Sequence, residues 1–161
     1  MTTDDLGAAA DQVYDQLQYQ VALFARRAER VRMGGLGEQR NSMDRAAYLL
    51  LNRLEQQGPV GVKALAQAMG IDSSTVTRQV APLVDCGLVD RVPNPSDGRA
   101  VLLELSVQGL QRLQEVRLSR QELMRVLVSD WPEEERAQFC ALLTQFNRAL
   151  HDFNPQPGLD D

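Results

Sequence analysis

Apolar positions recur along this chain in two different periods, and the change of period marks its parts. In residues 8–33, Tyr14, Leu17, Val21, Phe24, Ala28 and Val31 follow one another at spacings of 3, 4, 3, 4 and 3. That heptad-like stripe predicts one long helix with a narrow apolar seam suited to another helix. The glycine-rich "GGLGEQRN", residues 34–41, interrupts it as a loop. A second helix is predicted over 43–57, with Met43, Ala47, Leu50 and Leu54 on its inner face. Ser42 is the expected N-cap, Asp44 sits well against the positive helix end, and Gly58 and Pro59 stop the helix.

Two shorter helical segments follow, "VKALAQAM" and "SSTVTRQVAPLVDC", joined by "GID". The period then changes. In "RVPNPSDGRAVLLEL", residues 91–105, two β-favouring runs flank a knot of turn-forming residues, which predicts a hairpin with Arg99 near its tip. After Ser106 the helical period returns to about Ser129, with Leu110, Leu113, Val116, Leu123 and Leu127 as its apolar positions. "SDWPEEE" starts a last helix, with Pro132 tolerated in its first turn and three glutamates at its positive end. Its stripe of Phe139, Leu143, Phe146, Leu150 and Phe153 is spaced 4, 3, 4 and 3.

These elements predict a mainly α fold with a small β-hairpin wing. The first and last helical regions (8–33 with 107–153) form a dimerisation module, packing within one chain being the alternative. The middle (42–106) forms a compact lobe, and 1–7 and 154–161 are expected to be disordered tails.

The chemistry of the lobe is concentrated in residues 61–92. A short helix, a tight turn containing Gly and a second helix make the helix-turn-helix pattern. Ala66 permits close helix packing, Gly70 can take the left-handed conformation of the turn, and Val76 anchors the second helix. Asp72, Ser73 or Ser74 can cap that helix. Its exposed first turns then offer Ser73, Ser74, Thr75, Thr77, Arg78 and Gln79. These are hydroxyls for phosphates and base edges, with one Arg able to contact guanine in bidentate fashion. A hairpin directly after such a unit makes it a winged helix-turn-helix, and Arg99 at the tip suits a narrow minor groove. Asp97, two residues earlier, either holds the Arg99 guanidinium or makes an Asx turn.

Charge changes the picture only through its distribution. The net charge is −5. Residues 26–99 nevertheless carry eleven bases against eight acids, while residues 1–25 and 100–161 are each −4. A basic patch survives in an acidic protein because screening confines each patch to about 10 Å. The basic stretch includes "ARRAERVR" with Arg40, Arg45 and Arg53, which either solvate the first helices or touch flanking phosphates.

No glycine-rich phosphate loop, nucleophile elbow or metal-ligand spacing is present, so neither an enzyme, a cofactor nor a metal is expected. Cys86 and Cys140 are expected to be buried structural residues, and His151 to favour the C-terminal end of the last helix. Tyr14, Tyr19 and Tyr48 are assigned to core packing, with an effector pocket as the alternative. No apolar run reaches the roughly 18–20 residues of a membrane helix, and "MTTDDLGAAA" lacks signal-peptide features, so a cytoplasmic location is the expectation.

The segment "LLLNRLEQQGPVGVKALAQAMGIDSSTVTRQVAPLVDCGLVDRVPNPSDGRAVLLELSVQG" resembles the MarR-type (multiple-antibiotic-resistance regulator) family of bacterial transcription factors. "STVTRQV", "CGLVDR" and "PSDGRAVLLELS" carry the resemblance most specifically. It implies that the family's recognition helix falls on residues 73–86 and its wing Asp-x-Arg on Asp97 and Arg99. It further implies an obligate homodimer that binds double-stranded DNA at a pseudo-palindrome, mostly as a repressor. Many such proteins release DNA when a small aromatic or phenolic compound binds between the dimer helices and the lobe. Two features depart from the family pattern: Pro82 inside the recognition helix, where a local bend is expected, and the absence of the redox branch's reactive Cys in the first helix. The competing reading is a winged helix used for protein–protein contact without DNA readout; its recognition face would more naturally be apolar.

Overall fold

Leu50, Leu51 and Leu54 give helix α2 (Arg45–Gln57) a continuous apolar face, and the core gathers on it. The computed structural model describes the backbone of residues 3–31 and 43–153, and the side chains of 11–29 and 43–153. Onto α2 pack α3 (Val62–Met69) through Leu65 and Ala66, and α4 (Ser73–Asp85) through Val76, Val80 and Leu83. Strands β1 (Val89–Asn94) and β2 (Asp97–Leu105) add Val89 and Leu103. Helix α5 (Val107–Leu127) closes the core with Leu113 and Val116. Each such side chain, fully withdrawn from water, contributes roughly 1.5–3 kcal/mol.

Glycine and serine set the joints. Gly70 and Gly87 adopt the left-handed conformation and end α3 and α4 in the same way. The amides of Ile71 and Gly70 return to the carbonyls of Ala66 and Gln67, and those of Leu88 and Gly87 to Leu83 and Val84. This 6→1 and 5→2 pairing satisfies the last helical carbonyls and turns the chain sharply. Ser106 caps α5 by accepting from the Gly109 amide, and its hydroxyl donates to the Gly87 carbonyl at 2.6 Å. One residue thereby starts α5 and ties it to the end of α4.

The hairpin is antiparallel, with Val89 opposite Leu105 and Pro93 opposite Val101; its register shifts between Pro93 and Asn94, beside the tip. Val60, in the α2–α3 connection, exchanges two backbone hydrogen bonds with Leu103. The wing is therefore anchored at its base and free at its tip.

Helices α1 (Thr3–Val31) and α6 (Glu133–Asp152) are built differently. Helix α6 has no buried residue, and among the described side chains of α1 only Ala28 is buried. Their apolar stripes line a shared groove of about 700 Å³, with Leu17, Val21 and Phe24 on one side and Phe139, Leu142, Phe146 and Leu150 on the other. No helix among the described residues is long and apolar enough to cross a membrane.

Several expectations change. Helix α1 begins at Thr3, inside the stretch read as a tail: Asp4 and Asp5 suit the positive end of a helix, and Ala8, Ala9 and Ala10 are strong helix formers. Helix α2 begins at Arg45, and its cap is Asp44, whose carboxylate accepts the Ala47 amide at 2.6 Å. Ser42, the loop 34–41, Arg32, Arg40 and the tail 154–161 lie outside the described residues. Cys86 and Cys140 are exposed and free, not buried. Cys86 follows the last buried turn of α4, and Cys140 lies on a helix that buries nothing. Tyr14 and Tyr19 are exposed on α1, whereas Tyr48 packs at the edge of the core. Arg53 neither solvates its helix nor faces outward: it donates to the Ala68 carbonyl and helps close α3. Helix α4 runs on through Pro82, which removes one amide donor without ending the helix.

Candidate nucleic-acid interface

Helix α4 is held by its inner face and displayed by its outer one. Val76, Val80 and Leu83, at i, i+4 and i+7, are buried against α2 and α3. On the opposite side Ser73, Ser74, Thr77 and Arg78 are exposed. Thr75 and Gln79 lie on the flanks, each half-buried, and the Gln79 side-chain oxygen is buried without a hydrogen-bond partner. Gln79 is thus turned inward relative to the four exposed residues expected beside it. The Arg78 guanidinium engages no acceptor among the described residues, so its five donors face solvent.

Asp72 organises the start of this face. Its carboxylate accepts the Thr75 amide at 2.7 Å, the Ser74 hydroxyl at 2.5 Å and the Thr75 hydroxyl at 2.6 Å. These bonds, that from Ser74 first, hold the carboxyl well below the usual carboxylate range. One turn on, the Thr77 hydroxyl donates to the Ser73 carbonyl at 2.8 Å.

The wing tip is shaped by two Asx turns. The side-chain oxygen of Asn94 accepts the Ser96 amide at 2.9 Å, and that of Asp97 accepts the Arg99 amide at 3.0 Å. Of the two roles weighed for Asp97, it makes the turn. The Arg99 guanidinium forms no ion pair among the described residues and is exposed at the tip. Arg91 on β1 is a further exposed cation of the hairpin. Sequence gave no reason to single it out, since an isolated Arg in a strand is usually a solvated charge.

Behind α4 and the hairpin, α2 is clamped to α5. Arg117 donates to Asn52 at 2.8 Å and pairs with Glu55, and that pairing lowers the Glu55 pKa and raises that of Arg117. The Arg120 guanidinium lies 3.8 Å from the centre of the Tyr48 ring, and burial lowers its pKa. Its Nε is buried without a partner. Tyr48, Arg117 and Arg120, with Gln121, Met124 and Arg136, line a cavity of about 530 Å³ between α2, α5 and α6. Among the described residues no group of His, Cys, Asp and Glu is arranged to hold a metal.

A helix-turn-helix with a displayed polar helix and an adjoining β-hairpin is the reading head of a DNA-binding transcriptional regulator. The chain belongs to the MarR family, whose profile its residues 43–101 match. It is 34% identical over 136 residues to the uncharacterised HTH-type transcriptional regulator YxaD of Bacillus subtilis, an alignment spanning 84% of this chain and 94% of that one. A probable transcriptional regulator from Pseudomonas aeruginosa superposes with a TM-score of 0.68 at 25% identity, covering 83% of this chain and 98% of that chain. A MarR variant from E. coli complexed with operator DNA superposes with a TM-score of 0.66 at 23% identity, over 81% and 93% of the two chains. Members of this family regulate transcription and are not enzymes.

Proposed function

We propose that the protein is a homodimeric repressor that reads a pseudo-palindromic operator through two copies of α4, with the two wings reaching adjacent minor grooves. The observation that carries this reading is the outer face of α4. Ser73, Ser74, Thr77 and Arg78 are exposed there, with no apolar residue among them, on a helix whose opposite face is locked into the core. Arg78 supplies the guanine-type contact and Arg99 the minor-groove contact, while Asp97 shapes the tip that carries Arg99. A winged helix built for protein contact would more naturally carry an apolar face at this position.

The dimer reading rests on α1 and α6. Phe24 is 53% exposed and Phe139 46%, on stripes at heptad spacing, which a second copy would cover. For the effector, the cavity beneath Tyr48 offers an aromatic wall and several guanidinium groups, a lining suited to a small phenolic or aromatic acid. Occupation there would press on the α2–α5 clamp and so on the spacing of the two reading heads.

Size-exclusion chromatography with light scattering, followed by selection of genomic fragments on the purified protein, tests the whole reading. A dimer that enriches an inverted repeat, with binding that weakens steeply as salt rises, is the expected result. A monomer, or a dimer that enriches nothing at low and moderate salt, overturns it.

A further inference from the structure

Three hydroxyls near the start of α4 have their protons committed. Ser74 and Thr75 donate theirs to Asp72, and Thr77 donates to the Ser73 carbonyl. The direction of each bond follows from chemistry. An ionised carboxylate and a backbone carbonyl can only accept, so each hydroxyl must be the donor. Asp72 is ionised at neutral pH because its three hydrogen bonds favour the charged form.

From this we infer that Asp72 is a specificity-determining residue of the reading head, which turns the outward side of Ser74 into a hydrogen-bond acceptor only, as the Ser73 carbonyl does for Thr77. The inference rests on the reading of α4 as the helix that enters the major groove. An oxygen whose proton is committed inward still presents lone pairs outward. Such an oxygen cannot bond a phosphate, whose oxygens also only accept. In the major groove it meets donors at two places alone, the amino groups of adenine N6 and cytosine N4. Guanine O6 and N7 and thymine O4 are acceptors and leave it unpaired.

The reading head therefore divides its work by proton direction. Ser74 and Thr77 select amino-bearing bases. Arg78, whose guanidinium has only donors, selects guanine or grips phosphate. Ser73, whose hydroxyl has no partner among the described residues, retains a proton that it can donate to phosphate.

Asp72→Gly removes this arrangement in a defined way. The Ser74 hydroxyl and the Thr75 amide bond the same carboxylate oxygen, so an amide that kept the cap would hold the Ser74 proton as well. Glycine is accepted at an N-cap and offers no side-chain acceptor, which releases the Ser74 proton outward. Selection of randomised half-sites on the full-length parent, Asp72→Gly and Ser74→Ala is the test, with thermal melting to confirm that each variant folds. The parent should favour A or C over G or T about tenfold at the base facing Ser74, the scale of a good base contact. Asp72→Gly should erase or reverse that preference at this base while leaving the positions read by Thr77 and Arg78 unchanged. Ser74→Ala, which leaves the cap in place, should flatten preference at the same base alone and serves as the test if Asp72→Gly does not fold.

If folded Asp72→Gly and Ser74→Ala both retain the parent's base preferences, Asp72 does not set the polarity of Ser74 and the proposal is overturned. A parent that prefers G or T at that base overturns it equally. Failure of the parent to select any DNA would instead remove the reading of α4 on which the proposal stands.

Discussion

The α2–α5 lobe and the α1 and α6 arms use the same residue types to opposite ends. In the lobe, Leu65 is wholly buried and the outer face of α4 is polar; on the arms, Leu142 of α6 is 57% exposed and Phe24 faces an open groove. Both regions carry apolar stripes at helical spacing. The lobe's stripes converge on one another through turns of a few residues, at Gly58, Gly70 and Gly87. Those of the arms meet only across a groove. A region that satisfies its own apolar surface can be rigid at any concentration, whereas one that does not depends on an added surface.

The sharpest way to separate the two regions is to remove one buried and one exposed leucine. Leu65→Ala should lower unfolding free energy by about 2–5 kcal/mol, the range for emptying a core position. Leu142→Ala should leave the lobe's denaturation midpoint unchanged in dilute protein; a loss equal to that of Leu65→Ala would mean the arms share the lobe's core. Next in size is Gly109→Ala. A Cβ there would lie 2.0 Å from the Leu88 carbonyl oxygen and 2.9 Å from Leu105. Overpacking against backbone should cost about 3 kcal/mol in urea unfolding. At Gly98 of the wing, where a Cβ meets nothing within 4 Å, the same change should be nearly neutral.

A charge placed on the arm seam tests the other half of the comparison. Phe24→Asp should give a monomer by light scattering with a far-UV signal close to the parent's, and should weaken operator binding at least tenfold. A persistent dimer would place the interface elsewhere. Arg117→Ala, on the clamp between α2 and α5 within the lobe, should cost about 1 kcal/mol or less, because the pair with Glu55 is partly solvated.

The smallest effect is one of pH. Asp72 and Glu55 have folded pKa values below those of the unfolded chain. Their contributions are complete above the ordinary carboxylate range near pH 4 and are lost as pH falls through and below it. Midpoints measured between pH 6 and pH 3 should drop, and the drop should shrink in Asp72→Asn. A midpoint that rises on acidification contradicts the sign.

Most of the reading head was legible in the chain because its signals are local. Ala66, Gly70 and Val76 lie within eleven residues, and the wing announces itself by a change of period with turn residues at its tip. Pairings of distant residues were not legible. Arg53 looked like one more member of a basic run, yet it closes α3 by reaching Ala68. Arg117 and Glu55 are 62 residues apart and carry no mark of belonging together. Cys86 and Cys140 were assigned to the interior by the habit of their residue type, and their positions past or outside the core overrode it.

By itself, then, the sequence determined the helix-turn-helix, the hairpin after it, the family and the apolar stripes of the arms, since each depends on spacing within a few turns of chain. Only the tertiary structure decided which stripes find partners, which way Gln79 turns and which acceptors claim the protons of Ser74, Thr75 and Thr77. Periodicity records that a helix has two faces. What each face meets is set by packing between segments far apart in the chain, and the direction of a hydroxyl proton is set by the acceptor that packing places beside it.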